Sequence, residues 1–421
     1  MQLSSPVSQS SPAMWPVTTQ RCIGYAAIVR HAYAGADLTD LTRDLVAQVQ
    51  GQMVNPGALL DLATLLMLQG GDLAVEGALM QRHAIALQKS YQINHGTGLG
   101  LRILAFVTAG DFMVNTPLDF LLHGSDAVLI LHFVDTHTQS LTNLPAHDIA
   151  FMAIAESPGT AKILHHLQAL LQGWTTPIIN NNIPMIANLS RATVAHMLAD
   201  APGLVTPPTQ VQPRADLITA LLTSTVTEPY ILRPIGTHAG KGMARITTSA
   251  ELALWLRLNS AEKVYTAPFI DYRGQNGLYA KQRIVLIQGK PYPSHMASSP
   301  HWMVHYLNAD MTNQASRRAE EAAWMAQFDT DFAQRHATAF ASLYDLIGLD
   351  YFGIDCAELP DGRLLIFEID VAMIVHDMDC PRVFPYKQPA MQKLFGGFLA
   401  ALEQTTKEQA TKERTTKNWA G

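Results

Sequence analysis

Two apolar strands near the end of the chain carry acidic side chains, and this feature constrains the fold most. Asp355 lies on the first strand, and Glu368 and Asp370 lie on the second. The dipeptide Asp361-Gly362 between them predicts a hairpin turn. Because side chains alternate along a strand, Glu368 and Asp370 share one face. The pattern therefore predicts three carboxylates that converge on one face of an antiparallel sheet.

Such a cluster predicts a metal site. Three buried like charges are costly unless a cation neutralises them. Oxygen ligands of this kind suit Mg²⁺, which is usually shared with the phosphates of a substrate. We therefore predict Asp355, Glu368 and Asp370 as metal ligands. A structural cluster held by salt bridges is the alternative interpretation.

The overall composition narrows the class of protein. The chain has 421 residues, 48% of them hydrophobic and 15% charged, which predicts two or three folded domains. A net charge of −6 gives no basic surface for nucleic acid. The three cysteines are widely spaced, and no apolar run reaches the length of a membrane span. We expect a cytoplasmic protein that binds neither nucleic acid nor membrane.

Hydrophobic periodicity predicts a mixed α/β and α+β architecture. Short apolar strands that alternate with helices after residue 101 indicate a parallel sheet. Helical spacing before residue 98 resembles a tetratricopeptide-type hairpin, which would offer a surface to a protein partner. A plain helical cap is the alternative, and the sequence favours it, because one hairpin is too few for a repeat array. The predicted divisions are a disordered lead-in at 1–20, a helical segment at 21–98, an α/β domain at 99–185, a mixed α+β domain at 186–402 and a charged tail at 403–421.

A glycine-rich segment in the second half suits an anion. Arg233 lies near the end of the strand at 230–234 and can pair with a phosphate. Gly236, Gly240 and Gly242 follow, and they allow backbone amides to approach an anion closely. Lys241 adds a positive charge within the loop. A structural turn is the alternative interpretation.

Two further strands complete the set of candidate residues. Phe269 and Ile270 end an extended segment that would offer apolar walls and backbone groups to an adenine base. Arg283 lies on a strand that leads to a hairpin, and a positive side chain there suits a transferring phosphate. An ordinary interdomain strand and a solvated arginine are the alternatives.

The order of these elements resembles the ATP-grasp superfamily, most of all its RimK-type and D-alanine–D-alanine-type ligases. The resemblance covers approximately residues 101–399. It implies that Arg191 and Arg233 contact ATP and that residues 267–270 bind adenine. It also implies that Arg283 faces the transferred phosphate and that the three carboxylates hold Mg²⁺.

The chain departs from the family pattern within the ATP-binding unit. Asp370 stands where the family usually has asparagine, which makes the metal set more negative. Lys281 replaces a residue that is commonly acidic, and Ala267 replaces the hinge glutamate.

The segment at 295–306 is also unusual. It lacks an arginine that related ligases often carry, and instead contains His295, His301 and His305. We predict that it forms the acceptor pocket, with His301 and His305 as the catalytic candidates. If these histidines only pack, the acceptor lies near residues 371–379.

The resemblance implies a preceding α/β domain and a two-lobed ATP-grasp domain that binds ATP and Mg²⁺. It implies an ADP-forming carboxylate–amine ligase that acts on a small molecule, an amino acid or a peptide. Two other classes remain open: a phosphotransferase acting on a hydroxyl, and a nucleotide-binding scaffold without chemistry. Nothing in the sequence indicates an oligomeric state.

Overall fold

The computed structural model describes residues 19–237 and 240–419, and its strands form three sheets. In chain order the strands are β1 (Gln20–Arg21), β2 (Ser90–Asn94), β3 (Arg102–Val107), β4 (Val128–Phe133), β5 (Ile149–Met152), β6 (Ile178–Ile179), β7 (Leu204–Val205), β8 (Gln210–Pro213), β9 (Tyr230–Pro234), β10 (Ala244–Ile246), β11 (Lys263–Pro268), β12 (Tyr279–Ile287), β13 (Lys290–Ser299), β14 (Tyr351–Glu358) and β15 (Leu364–Asp370).

The helices lie between and around these sheets. In chain order they are α1 (Tyr25–Tyr33), α2 (Thr39–Val49), α3 (Pro56–Gln69), α4 (Gly71–Leu87), α5 (Leu118–Leu121), α6 (Ala161–Leu170), α7 (Ile183–Ile186), α8 (Arg191–Met197), α9 (Arg214–Thr223), α10 (Ser249–Leu258), α11 (Ala315–Gln327), α12 (Phe332–Arg335), α13 (Ala337–Ile347) and α14 (Lys387–Trp419). A 3₁₀ turn covers Tyr306–Asn308. Across the described ranges, no helix combines the length and the apolar character that crossing a bilayer requires.

The first sheet has the order β1-β2-β4-β3-β5-β6 and is parallel except for the β2–β4 pair. Strands β3, β4 and β5 are buried along almost their whole length. This confirms the predicted α/β architecture, in which apolar strands are covered on both faces. Because β2 lies in the predicted helical segment, and β1 spans the end of the predicted lead-in and the start of that segment, the sheet crosses the predicted boundary after residue 98.

Helices α3 and α4 form a close pair. The Asn55 side chain accepts hydrogen bonds from the Gly57 and Ala58 amides at 3.0 and 3.2 Å, and so caps the start of α3. A Cβ atom on Gly77 would lie 2.7 Å from the Ala63 carbonyl oxygen, so this crossing requires glycine. Its interpretation as a tetratricopeptide-type hairpin stays a prediction.

The second sheet is antiparallel and has the order β10-β9-β11-β8. Helices α9 and α10 cover it, and a small core that includes Leu232, Trp255 and Val264 lies between them. A capping box starts α10, in which Thr248 and Glu251 each bond the backbone of the other. This unit is a separate lobe that carries the glycine-rich loop between β9 and β10.

The third sheet has the order β13-β12-β14-β15-β7 and is antiparallel except for the β15–β7 pair. Its central strands β12, β14 and β15 carry the predicted acidic and basic side chains. The predicted turn at Asp361-Gly362 lies between β14 and β15, and Gly362 has a φ of +83° that favours glycine. The strands predicted on both sides of this turn are confirmed.

Helix α14 closes the chain and corrects one prediction. Its first half packs Leu394 and Phe398 against Phe151 and Tyr351. Residues 403–419, expected as part of a solvated or frayed charged tail, continue this helix. Lys, Glu, Gln and Ala are strong helix formers, so a stretch anchored at one end remains helical. Residues 420 and 421 lie outside the described ranges, as do residues 1–18 of the predicted lead-in.

Candidate active site

A cavity of about 530 Å³ lies between the second and third sheets, and the N-terminal region also reaches it. The lobe of the second sheet contributes Arg233 and Gly240, and the third sheet contributes the acidic strands. Tyr33 and Met113 reach the cavity from the N-terminal region. The chain therefore places most of its predicted chemistry on one concave surface, which is the usual setting of a ligand site.

Two arginines form one part of the wall. Arg191 begins helix α8, whose N-cap Ser190 accepts a hydrogen bond from the Thr193 amide at 3.3 Å. Arg233 is the penultimate residue of strand β9 and donates from Nη2 to the Thr237 carbonyl oxygen at 2.6 Å. No residue in the described chain accepts a hydrogen bond from the buried Nε of either arginine. Burial, together with the charge of Arg191, lowers the pKa of Arg233 to about 10. Two close guanidinium groups with spare donors suit an anionic ligand.

Two carboxylates face these arginines from strand β15. Glu368 forms an ion pair with Arg191. Burial raises the pKa of Glu368, but Arg191 and Arg233 outweigh it and hold that pKa below its usual value. Burial and the neighbouring charge of Glu368 raise the pKa of Asp370 to about 7. We call Arg191, Arg233, Glu368 and Asp370 the arginine wall.

Asp355 is held differently from the other two carboxylates. It lies on β14 directly opposite Glu368, and it accepts hydrogen bonds from Lys281 Nζ at 2.9 Å and from Arg283 Nε at 2.8 Å. Although burial opposes it, Arg283 and then Lys281 keep the pKa of Asp355 well below its usual value. Arg283 also donates to the Ile374 carbonyl oxygen at 3.1 Å. Arg283 thus lines the cavity while its hydrogen bonds are committed to Asp355 and Ile374.

These ion pairs bear on the predicted metal ligands. The described residues include no group of three or more His, Cys, Asp or Glu side chains placed to hold a metal ion by themselves. Glu368 and Asp370 fit a cation, because these two half-buried carboxylates lie on one face of β15 and only Glu368 has an ion pair, with Arg191. Mg²⁺ commonly takes one or two carboxylates and completes its shell with water and substrate phosphate. The metal assignment stays a prediction, with Asp355 as its least available member.

The predicted adenine hinge lines the same cavity. Phe269 and Ile270 follow strand β11, and Trp302 packs edge-on against Phe269 with ring centroids 6.0 Å apart. The Arg245 guanidinium stacks on the Phe269 ring at 4.3 Å. The Phe269 amide donates to the Pro229 carbonyl oxygen at 3.0 Å, so it is not available to a base. Ile270 is the member of this pair whose amide has no partner among the described residues.

Of the predicted residues in the glycine-rich loop that the structure describes, only Gly240 lines the cavity. Gly240 lines the cavity beside Met303, whereas Gly236 and Lys241 are exposed and lie outside the cavity wall. Gly242 has a structural contact, because Trp255 Nε1 donates to its carbonyl oxygen at 2.8 Å. Residues 238 and 239 of this loop lie outside the described ranges.

Of the three histidines in the predicted acceptor segment, two line the cavity and one does not. His295 lies on β13 opposite Arg283, and burial, then Arg283, hold its pKa well below the usual value. His305 lines the cavity, and burial, then Lys281, lower its pKa. His301 is exposed and lies outside the cavity wall, where its amide donates to Ser299 Oγ at 3.1 Å. Because His301 is exposed and does not line the cavity, it is a poor catalytic candidate.

A second part of the wall was not predicted. Tyr33, His376, Asp379 and Lys387 line the cavity together, and we call them the distal wall. They come from helix α1, from the segment between β15 and α14, and from the first residue of α14. The sequence pointed to two of them, His376 and Asp379, because they lie in the alternative acceptor region at 371–379. Tyr33 and Lys387 carry no motif, since the fold alone brings them together.

The sequence matches no protein-family model. It likewise matches no curated protein. Among solved structures, similar chains include the D-alanine–D-alanine ligase from Coxiella burnetii, at 12% identity and a TM-score of 0.44, covering 76% of this chain and 99% of that one.

Two other similar structures are a RimK domain ATP-grasp protein from Sphaerobacter thermophilus and the VanG D-Ala:D-Ser ligase from Enterococcus faecalis. The first has 15% identity and a TM-score of 0.39, covering 71% of this chain and 99% of that one. The second has 11% identity and a TM-score of 0.44, covering 72% of this chain and 99% of that one. These names include the two ligase types that the sequence resembles. At such values they assign no residue of this chain a role.

Proposed function

We propose that this chain is an ATP-grasp ligase that activates a carboxylate with ATP and joins it to an amine, releasing ADP and phosphate. One observation carries the proposal: the arginine wall brings two guanidinium groups and two half-buried carboxylates onto one surface of the cavity. A polyphosphate accompanied by a divalent cation has the complementary charges. No other part of the described chain offers this combination beside an apolar recess.

We expect ATP to bind in this cavity in one direction. The apolar recess at Phe269, Ile270 and Trp302 suits the base, with the Ile270 amide as a donor. The phosphates then extend toward Arg191 and Arg233, whose Nε groups are buried and ready to donate. A buried donor without a partner is costly, so a phosphate oxygen at this position would stabilise the complex.

Glu368 and Asp370 are the residues that would hold Mg²⁺. When bound, Mg²⁺ neutralises phosphate charge and orients the terminal phosphate for in-line transfer. Burial, and then the charge of Glu368, raise the pKa of Asp370 to about 7, and a bound cation would favour its ionised form. Asp355 contributes by a different route, because it fixes the position of Arg283 on the cavity wall.

The proposed reaction has two steps. A substrate carboxylate oxygen attacks the γ-phosphorus, the bond to the β–γ bridging oxygen breaks, and ADP leaves with that electron pair. The amine of the second substrate attacks the carbonyl carbon of the acyl phosphate, and inorganic phosphate departs. The attacking amine must lose a proton, and His305 is a suitable acceptor because its lowered pKa keeps it neutral near pH 7.

A trapping experiment tests this proposal. The protein is incubated with ATP, Mg²⁺ and panels of amino acids and small peptides, with hydroxylamine present. Hydroxylamine converts an acyl phosphate into a stable hydroxamate. We expect ADP release with matching hydroxamate for at least one carboxylate substrate. ADP release with a stable phosphoester would instead indicate a phosphotransferase, and nucleotide binding without ADP release would indicate a scaffold.

A further inference from the structure

At the distal wall, one buried lysine lies between two buried carboxylates, of Asp379 and of the neighbouring Glu321. Lys387 is 3% exposed, Glu321 is fully buried and Asp379 is 8% exposed. Lys387 Nζ lies 2.9 Å from Asp379 Oδ2 and 3.3 Å from Glu321 Oε1. One cation is therefore shared between two carboxylates, which leaves one excess negative charge when both are ionised.

Lys387 has no donor left for a ligand. Its ammonium group has three N–H donors, and it contacts Asp379, Glu321 and the Tyr306 hydroxyl. An anionic substrate group therefore gains no hydrogen bond from Lys387. The same lysine also lies over the Tyr306 ring at 4.0 Å, which fixes its position further.

The carboxylate of Glu321 accepts its hydrogen bonds from groups of the protein and does not face the cavity. It accepts from the Met296 amide at 2.9 Å, from the Tyr386 hydroxyl at 2.6 Å and from the Tyr306 hydroxyl at 3.4 Å. It is also absent from the cavity wall. The excess charge that a ligand can meet is therefore that of Asp379.

Asp379 presents an open acceptor to the cavity. Only its Oδ2 atom is used, by Lys387, and no described residue donates a hydrogen bond to Oδ1. The Tyr33 ring, which is 53% exposed, and the His376 ring lie nearby with centroids 6.1 Å apart. Aromatic faces beside a carboxylate form a common environment for a substituted ammonium group.

The neighbouring Asp377 shows the contrast. It lies two residues earlier in the same segment, and it forms an ion pair with Arg30 of helix α1. His123 Nε2 also lies 3.6 Å from its Oδ2 atom. Asp377 is thus neutralised within the protein and is absent from the cavity wall, whereas Asp379 is on the wall and shares its lysine.

We propose that the distal wall is a subsite for a substituted ammonium group of a substrate, which Asp379 binds through Oδ1 beside the rings of Tyr33 and His376. The proposal rests on the proposed function insofar as the ammonium group belongs to one of the two ligase substrates. It assigns an amino compound to this part of the cavity, and it excludes a substrate that ends there in a carboxylate.

The test uses three ligands of equal length: n-butylammonium, n-butanol and n-butyrate. Each is titrated by calorimetry into the full-length protein at pH 7.5, with and without Mg²⁺ and a non-hydrolysable ATP analogue. We expect wild type to prefer n-butylammonium over the other two. We expect Asp379→Asn to bind it about tenfold more weakly, equivalent to about 1.4 kcal/mol, and Asp377→Asn to bind it as wild type does.

Several results would overturn the proposal: equal n-butylammonium affinity in Asp379→Asn and wild type, no preference over n-butanol, or preference for n-butyrate. If Asp379→Asn fails to fold, the comparison of the three ligands on wild type still decides, together with Tyr33→Leu, which should reduce the preference. Failure to bind the ATP analogue would count against the proposed ligase. A preference for n-butylammonium that depends on Asp379 would still support the subsite in that case.

Discussion

The arginine wall and the distal wall belong to one cavity but are assembled in different ways. In the arginine wall, charged groups sit at the ends of regular elements: Arg191 starts a helix, Arg233 is the penultimate residue of a strand, and Glu368 and Asp370 alternate along another strand. In the distal wall, Tyr33 and Lys387 are more than 350 residues apart along the chain. Each wall also leaves a different group unpaired among the described residues, namely guanidinium donors in the first and a carboxylate oxygen in the second.

This difference indicates a division of roles. A wall with spare donors attracts phosphate, and a wall with a spare carboxylate acceptor attracts an ammonium group. The proposed nucleotide end is thus built from local motifs that many chains can carry. The substrate end depends on how this particular chain closes its N-terminal helix and its last helix around the cavity. Changes at the two walls should therefore affect different steps.

The largest effect is expected at Glu368. Replacement by glutamine keeps the shape of the side chain and removes its charge, so both Arg191 and any bound cation lose their partner. We expect ADP release to fall by at least about a hundredfold, the scale of losing one group that stabilises developing charge. The measurement is steady-state ADP release under the conditions of the trapping experiment.

Glu358→Gln is the matched control, since Glu358 lies on strand β14, pairs with Arg335 and is absent from the cavity wall. It should keep wild-type turnover. Wild-type turnover in Glu368→Gln would contradict the metal assignment at the arginine wall.

The next effect separates two histidines of the predicted acceptor segment. His305→Ala should lower amide formation by about a hundredfold, the scale of general-base catalysis, and leave ATP affinity almost unchanged. His301→Ala should change neither, because His301 is exposed and outside the cavity wall. Equal losses in both variants would mean that the segment supports the fold rather than the reaction.

The pH profile provides an independent check on His305. Burial and the charge of Lys281 lower its pKa, so the neutral, proton-accepting form persists to a lower pH than in a free histidine. The acidic limb that His305 contributes to kcat/KM in wild type should therefore lie below pH 6.5, the ordinary value, and below the limb expected from Asp370 near pH 7. This limb should be absent from the residual activity of His305→Ala.

A smaller effect is expected on nucleotide affinity. Arg233→Ala should weaken ATP binding by about 1.5–3 kcal/mol, the contribution of a hydrogen bond to a charged group. It should not change the affinity for n-butylammonium at the distal wall. Arg363→Ala is the control, because Arg363 pairs with Asp361 in an exposed turn. Unchanged ATP affinity in Arg233→Ala would place the phosphates elsewhere.

The smallest effect concerns the glycine-rich loop. Gly240 lines the cavity, so bound ATP and Mg²⁺ should slow amide hydrogen exchange at residues 240–243. Exchange in the turn at 273–278, which carries a Gly274 to Leu278 hydrogen bond, should stay the same. Identical exchange at 240–243 with and without nucleotide would argue against a lid role for this loop.

The sequence allowed correct prediction of the elements that rest on local signals. Apolar runs predicted the parallel sheet, and alternation along β15 placed Glu368 and Asp370 on one face. The tail, predicted as solvated or frayed, instead continues helix α14, because helix propensity prevails where one end of a helix is anchored in a core. The sequence also predicted a boundary after residue 98, although β1 and β2 join the first sheet.

The partners of side chains were harder to predict than their positions. Arg283 was expected to face phosphate, but a strand register that puts it opposite Asp355 commits it to that carboxylate. The exposure of His301 follows from the way the chain leaves β13, which no periodicity encodes. The distal wall depends on contacts between distant segments, and single-sequence patterns carry no information on such contacts.

The position of Lys387 at the start of α14 has a consequence for synthesis of the chain. A ribosome produces every residue of the arginine wall before it reaches Lys387, and domains tend to fold in the order of their synthesis. A nascent chain would thus possess the residues proposed to bind nucleotide while the distal wall still lacked its lysine. Until Leu394 and Phe398 dock, Phe151 and Tyr351 also lack their cover. A chain terminated just before α14 is therefore expected to expose apolar core residues, to aggregate, and to lack the lysine of the distal wall.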